Sequence, residues 1–285
     1  MSDIVYVNEQ YLTSEEARIS IYDRGFLFAD AVYEVAAVLD GKLIDVDAHM
    51  ARLLRSLGEL SIPLPVPVEE LVAIQRALVS RNNLDEGLIY IQISRGVAKR
   101  DFAFPKSAQP TLVMFSMEKN IRSDPKAMSG LRVLTIPDLR WKRCDIKTVG
   151  LLAAVLAKET AVQSGLDDAW LVQDGFVTEG SSNNAFILTT DNHIITRQLG
   201  NEILPGITRR AVIDIARELG LEIEERAFAI EEAYEAAEAF ITSASSFVCS
   251  VIEIDGKKIG SGAPGPVSKL LRQRYFEFAE LETAT

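Results

Sequence analysis

Cysteine and histidine are scarce, two of each in 285 residues. With no secretory signal ahead of them, Cys144 and Cys249 fit free thiols in a reducing cytoplasm rather than a disulfide framework. His49 and His193 lie far apart, and no CxxC or HExxH accompanies them, so no metal constellation is expected. A Ser-His-acid triad would need one of these histidines, and no GxSxG elbow exists to present the serine. Both therefore read as surface or packing residues. No apolar run reaches the length of a membrane span, and the opening MSDIVYVNEQ has no basic stretch followed by an apolar one, so neither a membrane protein nor a signal peptide is expected. Basic charge is in deficit, 30 Lys and Arg against 41 Asp and Glu, for a formal net charge of −11. A surface of that sign attracts neither phosphate chains nor anionic headgroups, which argues against nucleic acid and membrane as partners.

What is present is an ordinary globular composition, 48% apolar and 25% charged, on a length that suits one large or two medium domains. AVYEVAAVLDGKLIDV (31–46) reads as two strands around an Asp40-Gly41 hairpin turn. DAHMARLLRSLGEL (47–60) reads as a helix with Asp47 as N-cap and Met50, Leu53, Leu54, Leu57 and Leu60 on one face. Arg52 lies opposite that face and reads as solvated. A second helix, VEELVAIQRALVSRNN, precedes strands at 87–96 and 111–118. The polar, Pro-containing EKNIRSDPKAMSG (118–130) marks a boundary between a domain of residues 1–120 and one of 121–285. Beyond it come the strand GLRVLTI, a helix over 149–164 and strands around Asp174-Gly175. A helix over 206–220, a β-rich stretch from Ala239 and a last helix from about 266 complete the chain. Strands and helices mix without strict alternation, which predicts an α/β or α+β fold with mixed sheets.

GSGAPG (260–265) matches GxGxxG, yet it sits among prolines with no βαβ unit around it, so it reads as a turn. LPGITRR (204–210) places Ile207 and Thr208 at a helix start, where free N–H groups and the helix dipole favour a phosphate. TSASS (242–246) offers further N–H groups and hydroxyls after a strand. Either stretch alone is equally an ordinary helix start or a Ser-rich turn. Glu179 in VTEGSSNN is a turn acid, an N-cap or a carboxylate aimed at a ligand. Lys147 in RCDIKTVG precedes the small, apolar GLLAAVLA, and is either solvated or an amine held for chemistry.

In order, DRGFLFADAVYEV, HMARL, ISRGVAKRDFAFP, RWKRCDIKTVGLLAAVLAK, VTEGSSNNAF, LPGITRR and FITSASS resemble the fold-type IV pyridoxal-5′-phosphate enzymes. Among these they are most similar to the bacterial D-amino acid aminotransferases. The likeness implies a two-domain fold, with a small N-terminal α/β domain and a larger C-terminal mixed-sheet, pseudo-barrel domain. It implies that Lys147 forms the Schiff base with the cofactor aldehyde and that Glu179 pairs with the pyridine nitrogen. By the same likeness Arg52, Ile207, Thr208, Ser243 and Ala244 hold the phosphate, Leu204 lies against the ring, and Ser182 lies near its edge. Relatives often carry a hydroxyl residue at the Ala244 position, so one hydrogen bond is lost there. Tyr33 and Arg100 match two of the three residues that grip the substrate carboxylate. The third, a histidine in relatives, is Phe102 here. That change removes a donor and adds an apolar wall, which implies a weaker hold on small D-amino acids or more tolerance for bulky substrates and (R)-amines.

The implied reaction is ping-pong transfer of the amino group from a D-amino acid to a 2-oxo acid such as 2-oxoglutarate, in a cytoplasmic homodimer. A branched-chain transaminase, an aminodeoxychorismate lyase and a cofactor-binding module without turnover are the competing expectations.

Overall fold

The computed structural model describes residues 3–284, with side chains through Glu280. They form two units: residues to 120 together with 146–150, and residues 121–145 together with 151–284. In the first unit the chain runs β1 (Ile4–Val7), β2 (Gln10–Thr13), α1 (Arg24–Phe28), β3 (Ala31–Leu39) and β4 (Lys42–Leu43). Helices α2 (Val46–Glu59) and α3 (Val68–Arg81) and strands β5 (Gly87–Ser94) and β6 (Thr111–Glu118) follow. The strands form one antiparallel sheet in the order β2-β1-β6-β5-β3-β4. Asp40 and Gly41 carry φ of 51° and 70°, the backbone that the Asp-Gly turn between β3 and β4 requires.

Side-chain parity gives this sheet two unlike faces. Val32, Ile89, Ile91, Ile93, Leu112 and Met114 are buried with Met50, Leu53 and Leu57 of α2 and Leu71, Ile74 and Leu78 of α3. The alternate positions Tyr33, Val35, Tyr90, Gln92, Val113 and Phe115 are only half-buried. Cross-strand register aligns Tyr33 with Gln92, Val35 with Tyr90, and Tyr90 with Phe115. The rings of Tyr33, Tyr90 and Phe115 stack in a row, with centroids 5.5 and 4.7 Å apart.

The second unit runs α4 (Pro125–Ser129), β7 (Leu131–Pro137), α5 (Leu152–Gln163), β8 (Asp168–Gln173), β9 (Phe176–Gly180), β10 (Asn184–Leu188) and β11 (His193–Thr196). It continues through α6 (Ile207–Glu218), β12 (Glu222–Glu225), α7 (Ile230–Tyr234), β13 (Glu238–Ser243), β14 (Phe247–Ile254), β15 (Lys257–Lys258) and α8 (Pro266–Ala284). A mixed nine-stranded sheet has the path β12-β11-β10-β13-β14-β7-β8-β9, with β15 beside β14. The end strand β9 comes back against β10, so the sheet curls on itself. Trp170, Ile187, Phe228, Ile241 and Val251 fill its core.

Four expectations are corrected. Helix α2 begins at Val46, after Asp45 in a left-handed conformation, so Asp47 lies in the first turn and caps nothing. Leu54 is exposed, because the buried stripe turns through His49, Ser56 and Leu57 and leaves it on the outer edge. Arg52 is not solvated; its side chain is 10% exposed and paired with a buried acid. Helix α5 starts at Leu152 rather than 149, because the Val149 N–H bonds the Ala31 carbonyl and holds the preceding residues extended. The structure also adds β1, β2 and α1, which carry too little periodicity to read. Both cysteines are free thiols. Among the described residues no helix is long and apolar enough to cross a membrane, and no cluster of ligating side chains could hold a metal ion.

Candidate active site

Lys147 sits on the five residues that return to the first unit. Ile146 is buried in that unit's core and fixes the segment in place. The Tyr33 N–H donates to the Lys147 carbonyl (2.9 Å), and Val149 N–H to Ala31 O (3.2 Å), a short antiparallel extension beside β3. This pairing sets the Lys147 side chain on the half-buried face, with Nζ 4.1 Å from the centre of the Tyr33 ring. An amine over an aromatic face is attracted by the ring quadrupole, which orients it at one end of the aromatic row.

Next to Tyr33, parity turns Glu34 to the opposite, helix-covered face. A carboxylate buried there needs partners, and α2 supplies two. Arg52 donates Nε to Glu34 Oε1 (2.7 Å) and Nη2 to Oε2 (2.8 Å), and His49 Nδ1 lies 2.7 Å from Oε2. Burial alone would raise the Glu34 carboxyl, but the Arg52 charge and hydrogen bonds bring it down to about 2. The arginine that the sequence resemblance assigns to a phosphate is thereby fixed by Glu34, which His49 holds in turn; sequence reasoning singled out neither Glu34 nor this role for His49. An ionisable residue at a core-facing strand position was the available signal.

Arg100 and Phe102 lie on the loop after β5. Arg24 holds this loop by donating Nη1 to the Asp101 and Ala103 carbonyls (2.6 and 3.3 Å). Asp30 ties Arg24 to Arg95 (2.7 and 2.8 Å). Burial would raise the Asp30 carboxyl, yet the two arginines hold it below the usual carboxylate range. Gly96 has φ of 95°, and a Cβ there would fall 1.7 Å from the Gln109 carbonyl oxygen, so the two limbs of the loop close only on glycine. At the tip, Arg100 lies over the rings of Phe28 and Phe102 (5.2 and 5.6 Å), and Phe102 is 79% exposed. Among the described residues no hydrogen bond or ring contact joins Arg100 to Tyr33 or Lys147, which are held together elsewhere on this unit.

In the second unit Glu179, next to last in β9, is a buried acid with both carboxylate oxygens engaged. Oε1 takes a short bond from Arg140 Nη1; Oε2 accepts from Asn184 Nδ2 (2.9 Å) and from the Leu204 N–H (3.0 Å). Burial pushes its carboxyl up, and Arg140 pulls it back without cancelling the rise. Arg140 is itself gripped by Asp138 (2.7 and 3.0 Å) and the Glu202 carbonyl (3.0 Å). Asn184 also donates to the Leu204 carbonyl (3.0 Å), so it stitches the acid to the segment that leads into α6. Neither Arg140 nor Asn184 was picked out from sequence. Ser182 lies exposed in the turn after Glu179, and Leu204 is half-buried.

Helix α6 starts at Ile207 with Gly206 as N-cap and no side-chain cap bond, so its first N–H groups meet no capping oxygen. A Cβ on Gly206 would fall 2.0 Å from Asn184 Oδ1, which makes this approach specific to glycine. The other Ser-rich stretch forms the turn between β13 and β14. There Ser243 Oγ lies 2.7 Å from Ser246 Oγ and 3.3 Å from Ser245 Oγ, and Ala244 offers only its backbone. Within the second unit, uncapped N–H groups, a hydroxyl cluster and a buried acid suit the phosphate and ring nitrogen of a phosphorylated pyridine aldehyde; within the first, a ring-seated amine suits its aldehyde carbon. The residues fit the cofactor that the resemblance implies.

Comparison with known proteins agrees with this chemistry. The family model described as amino-transferase class IV matches residues 31–254. The D-alanine aminotransferase of Staphylococcus haemolyticus is 37% identical over 276 residues, covering 97% of this chain and 98% of the relative. That of Bacillus licheniformis is 37% identical over 265 residues, 93% of each chain. Among solved structures, a T.th. branched-chain amino acid aminotransferase, with pyridoxamine 5′-phosphate, superposes with a TM-score of 0.88 at 26% identity. The match covers 97% of this chain and 94% of that one. The Escherichia coli branched-chain enzyme shares the fold with a TM-score of 0.90 at 23% identity, over 98% and 95% of the two chains.

Proposed function

The chain belongs to the class IV aminotransferases, and on that premise we propose that it moves the amino group of a D-amino acid, D-alanine in type, to a 2-oxo acid such as 2-oxoglutarate. The observation that carries the D-amino acid reading is the 37% identity, over nearly the whole chain, to D-alanine aminotransferases. The branched-chain reading rests on a 26% likeness that includes the shared fold.

Pyridoxal phosphate, when bound, supplies an aldehyde that takes up the amine and a ring that withdraws electrons from the α-carbon. The chain's own residues do the rest. Arg52, kept in place by Glu34, the N–H groups of Ile207 and Thr208, and the Ser243–Ala244 turn hold the phosphate. Glu179, oriented by Arg140 and Asn184, would pair with the ring nitrogen, with Leu204 against the ring and Ser182 near its edge. With the cofactor bound, Lys147 Nζ would take the proton from the donor's α-carbon and deliver it to the cofactor's C4′ carbon, acting as base and then acid. The Tyr33 hydroxyl and an Arg100 guanidinium hold the substrate carboxylate, and Phe102 walls the pocket beside them. The donor leaves as a 2-oxo acid before the acceptor enters.

The assembly we propose is a cytoplasmic homodimer. Helix α5 buries its alanines, Ala154, Ala157 and Ala161, and leaves Leu152, Val155 and Leu156 exposed. Ile21, Phe26, Phe102 and Phe104 are exposed near the Arg100 loop. Apolar surface of this kind suits a second copy, and Arg100, which among the described residues has no hydrogen bond or ring contact to Tyr33, suits the partner's substrate.

The test is to add D-alanine and, separately, L-alanine to the cofactor-loaded protein and follow its visible absorbance, with Lys147→Ala as control. Bleaching by D-alanine alone, absent in the Lys147 variant, is the expected result. Bleaching by L-alanine alone would overturn the D-specific reading, and bleaching by neither would move the assignment to (R)-amines or to the lyase reaction.

A further inference from the structure

Phe247 has φ of 56°, yet it is fully buried. A bulky residue in the left-handed region is a true outlier. It closes the three-residue turn Ala244–Ser246, where Ser243 pairs with Phe247 across the hairpin, a position that glycine or asparagine ordinarily takes. Strain of this kind persists only where the surroundings over-determine it.

The surroundings here come from α8. Its Arg272 donates Nη1 to the carbonyls of Ser246 and Val248 (2.5 and 2.8 Å), which stand on either side of Phe247, and Nη2 to Ile121 O. Three main-chain carbonyls thus take the bonds of a guanidinium. The Phe247 ring seats against Tyr275 and Phe276 of the same helix, at 4.6 and 5.0 Å. The start of α8 is pinned in turn: buried Glu238, at the head of β13, accepts from the N–H groups of Val267 and Ser268 (2.8 and 2.9 Å) and from the Ser268 hydroxyl (2.8 Å). Helix α8 also packs against α6, whose first turn carries Ile207 and Thr208. One helix therefore supports both N–H-bearing elements, although it lies wholly beyond the matched residues 31–254.

We propose that Arg272 is a positioning residue for phosphate binding: from α8 it clamps the carbonyls flanking Phe247 and so holds the 243–246 turn in the shape that presents Ser243 and the Ala244 N–H. This rests on the pyridoxal phosphate reading above. The clamp acts on the phosphate alone, so its loss separates the phosphorylated from the unphosphorylated aldehyde.

The experiment strips the purified protein of cofactor and titrates back pyridoxal phosphate or pyridoxal, for wild type, Arg272→Met and Arg272→Lys, with thermal unfolding of each. Methionine keeps the aliphatic packing and removes the donors; lysine restores a single point donor. The expected result is a Kd for pyridoxal phosphate raised at least about tenfold in Arg272→Met, with pyridoxal changed less than about twofold and the lysine variant between. Equal weakening of both aldehydes, or of neither, would overturn the clamp. Should Arg272→Met not fold, the same comparison on Arg272→Lys decides. A wild type that binds neither aldehyde would instead sink the cofactor reading.

Discussion

Replacing Glu34 by Gln keeps its size and removes its charge, which leaves Arg52 beside a neutral amide in a site where the two side chains are 10% and 1% exposed. The magnitude follows from the carboxyl's displacement. Its ordinary value of 4.5 falls to about 2 in the fold, a difference worth about 3 kcal/mol. The independent expectation for a broken buried pair is of the same size, about 3–5 kcal/mol. The sign is set by linkage. A depressed acid contributes stability that is whole above its unfolded value of 4.5 and drains away as pH falls towards about 2. Urea unfolding of wild type and Glu34→Gln across pH 7 to 3 is the assay. The gap between them should be about 3 kcal/mol at neutral pH and shrink to about half or less by pH 3. A gap of the same size at every pH would mean that the variant loses packing rather than an ion pair, and the account of Arg52 given above would fail.

Two further outcomes follow from the site. Arg140→Met strands Asp138 and Glu179 without their shared cation; the Glu179 carboxyl should rise further, and unfolding in urea should show a loss of about 3–5 kcal/mol. Arg140→Lys should recover part of it, and a neutral effect of the methionine variant would show that Glu179 does not depend on the pair. Phe102→His restores a donor beside Arg100; a hydrogen bond to a carboxylate contributes about 1.5–3 kcal/mol, so kcat/KM for D-alanine should rise tenfold or more, roughly, relative to an (R)-arylamine. An unchanged ratio would dismiss Phe102 as a determinant of preference.

Legibility in the sequence tracked how local the cause was. The β3–β4 turn was readable because Asp40 and Gly41 are what that backbone asks for, and the start of α6 because Gly206 precedes it. The last helix was expected from about 266, where α8 begins. Arg52 was misread because helical periodicity sees only α2, while its partner Glu34 sits on a strand. Helix α5 inverts the usual pattern by burying alanine and exposing leucine, so its faces could not be assigned from apolarity. Lys147, Glu179 and the two phosphate-type stretches were each ambiguous taken singly, and only the family pattern gave them roles. Arg140 and Asn184, which orient Glu179, act from 39 and 5 residues away in sequence through geometry that no spacing rule encodes. Phe247 is the plainest omission: nothing in TSASSFV announces a left-handed phenylalanine.

The return of residues 146–150 to the first unit bears on how the molecule is made. A ribosome delivers the first six strands long before it delivers Ile146, so the flank of β3 at Ala31–Tyr33 waits, unpaired, through the synthesis of β7 and the loop after it. The segment that closes this gap is the one that carries the amine. A fragment ending at residue 120 would thus be an unfinished sheet with an open edge, prone to stick to its own kind. In this protein, completing the N-terminal sheet and installing Lys147 are a single event.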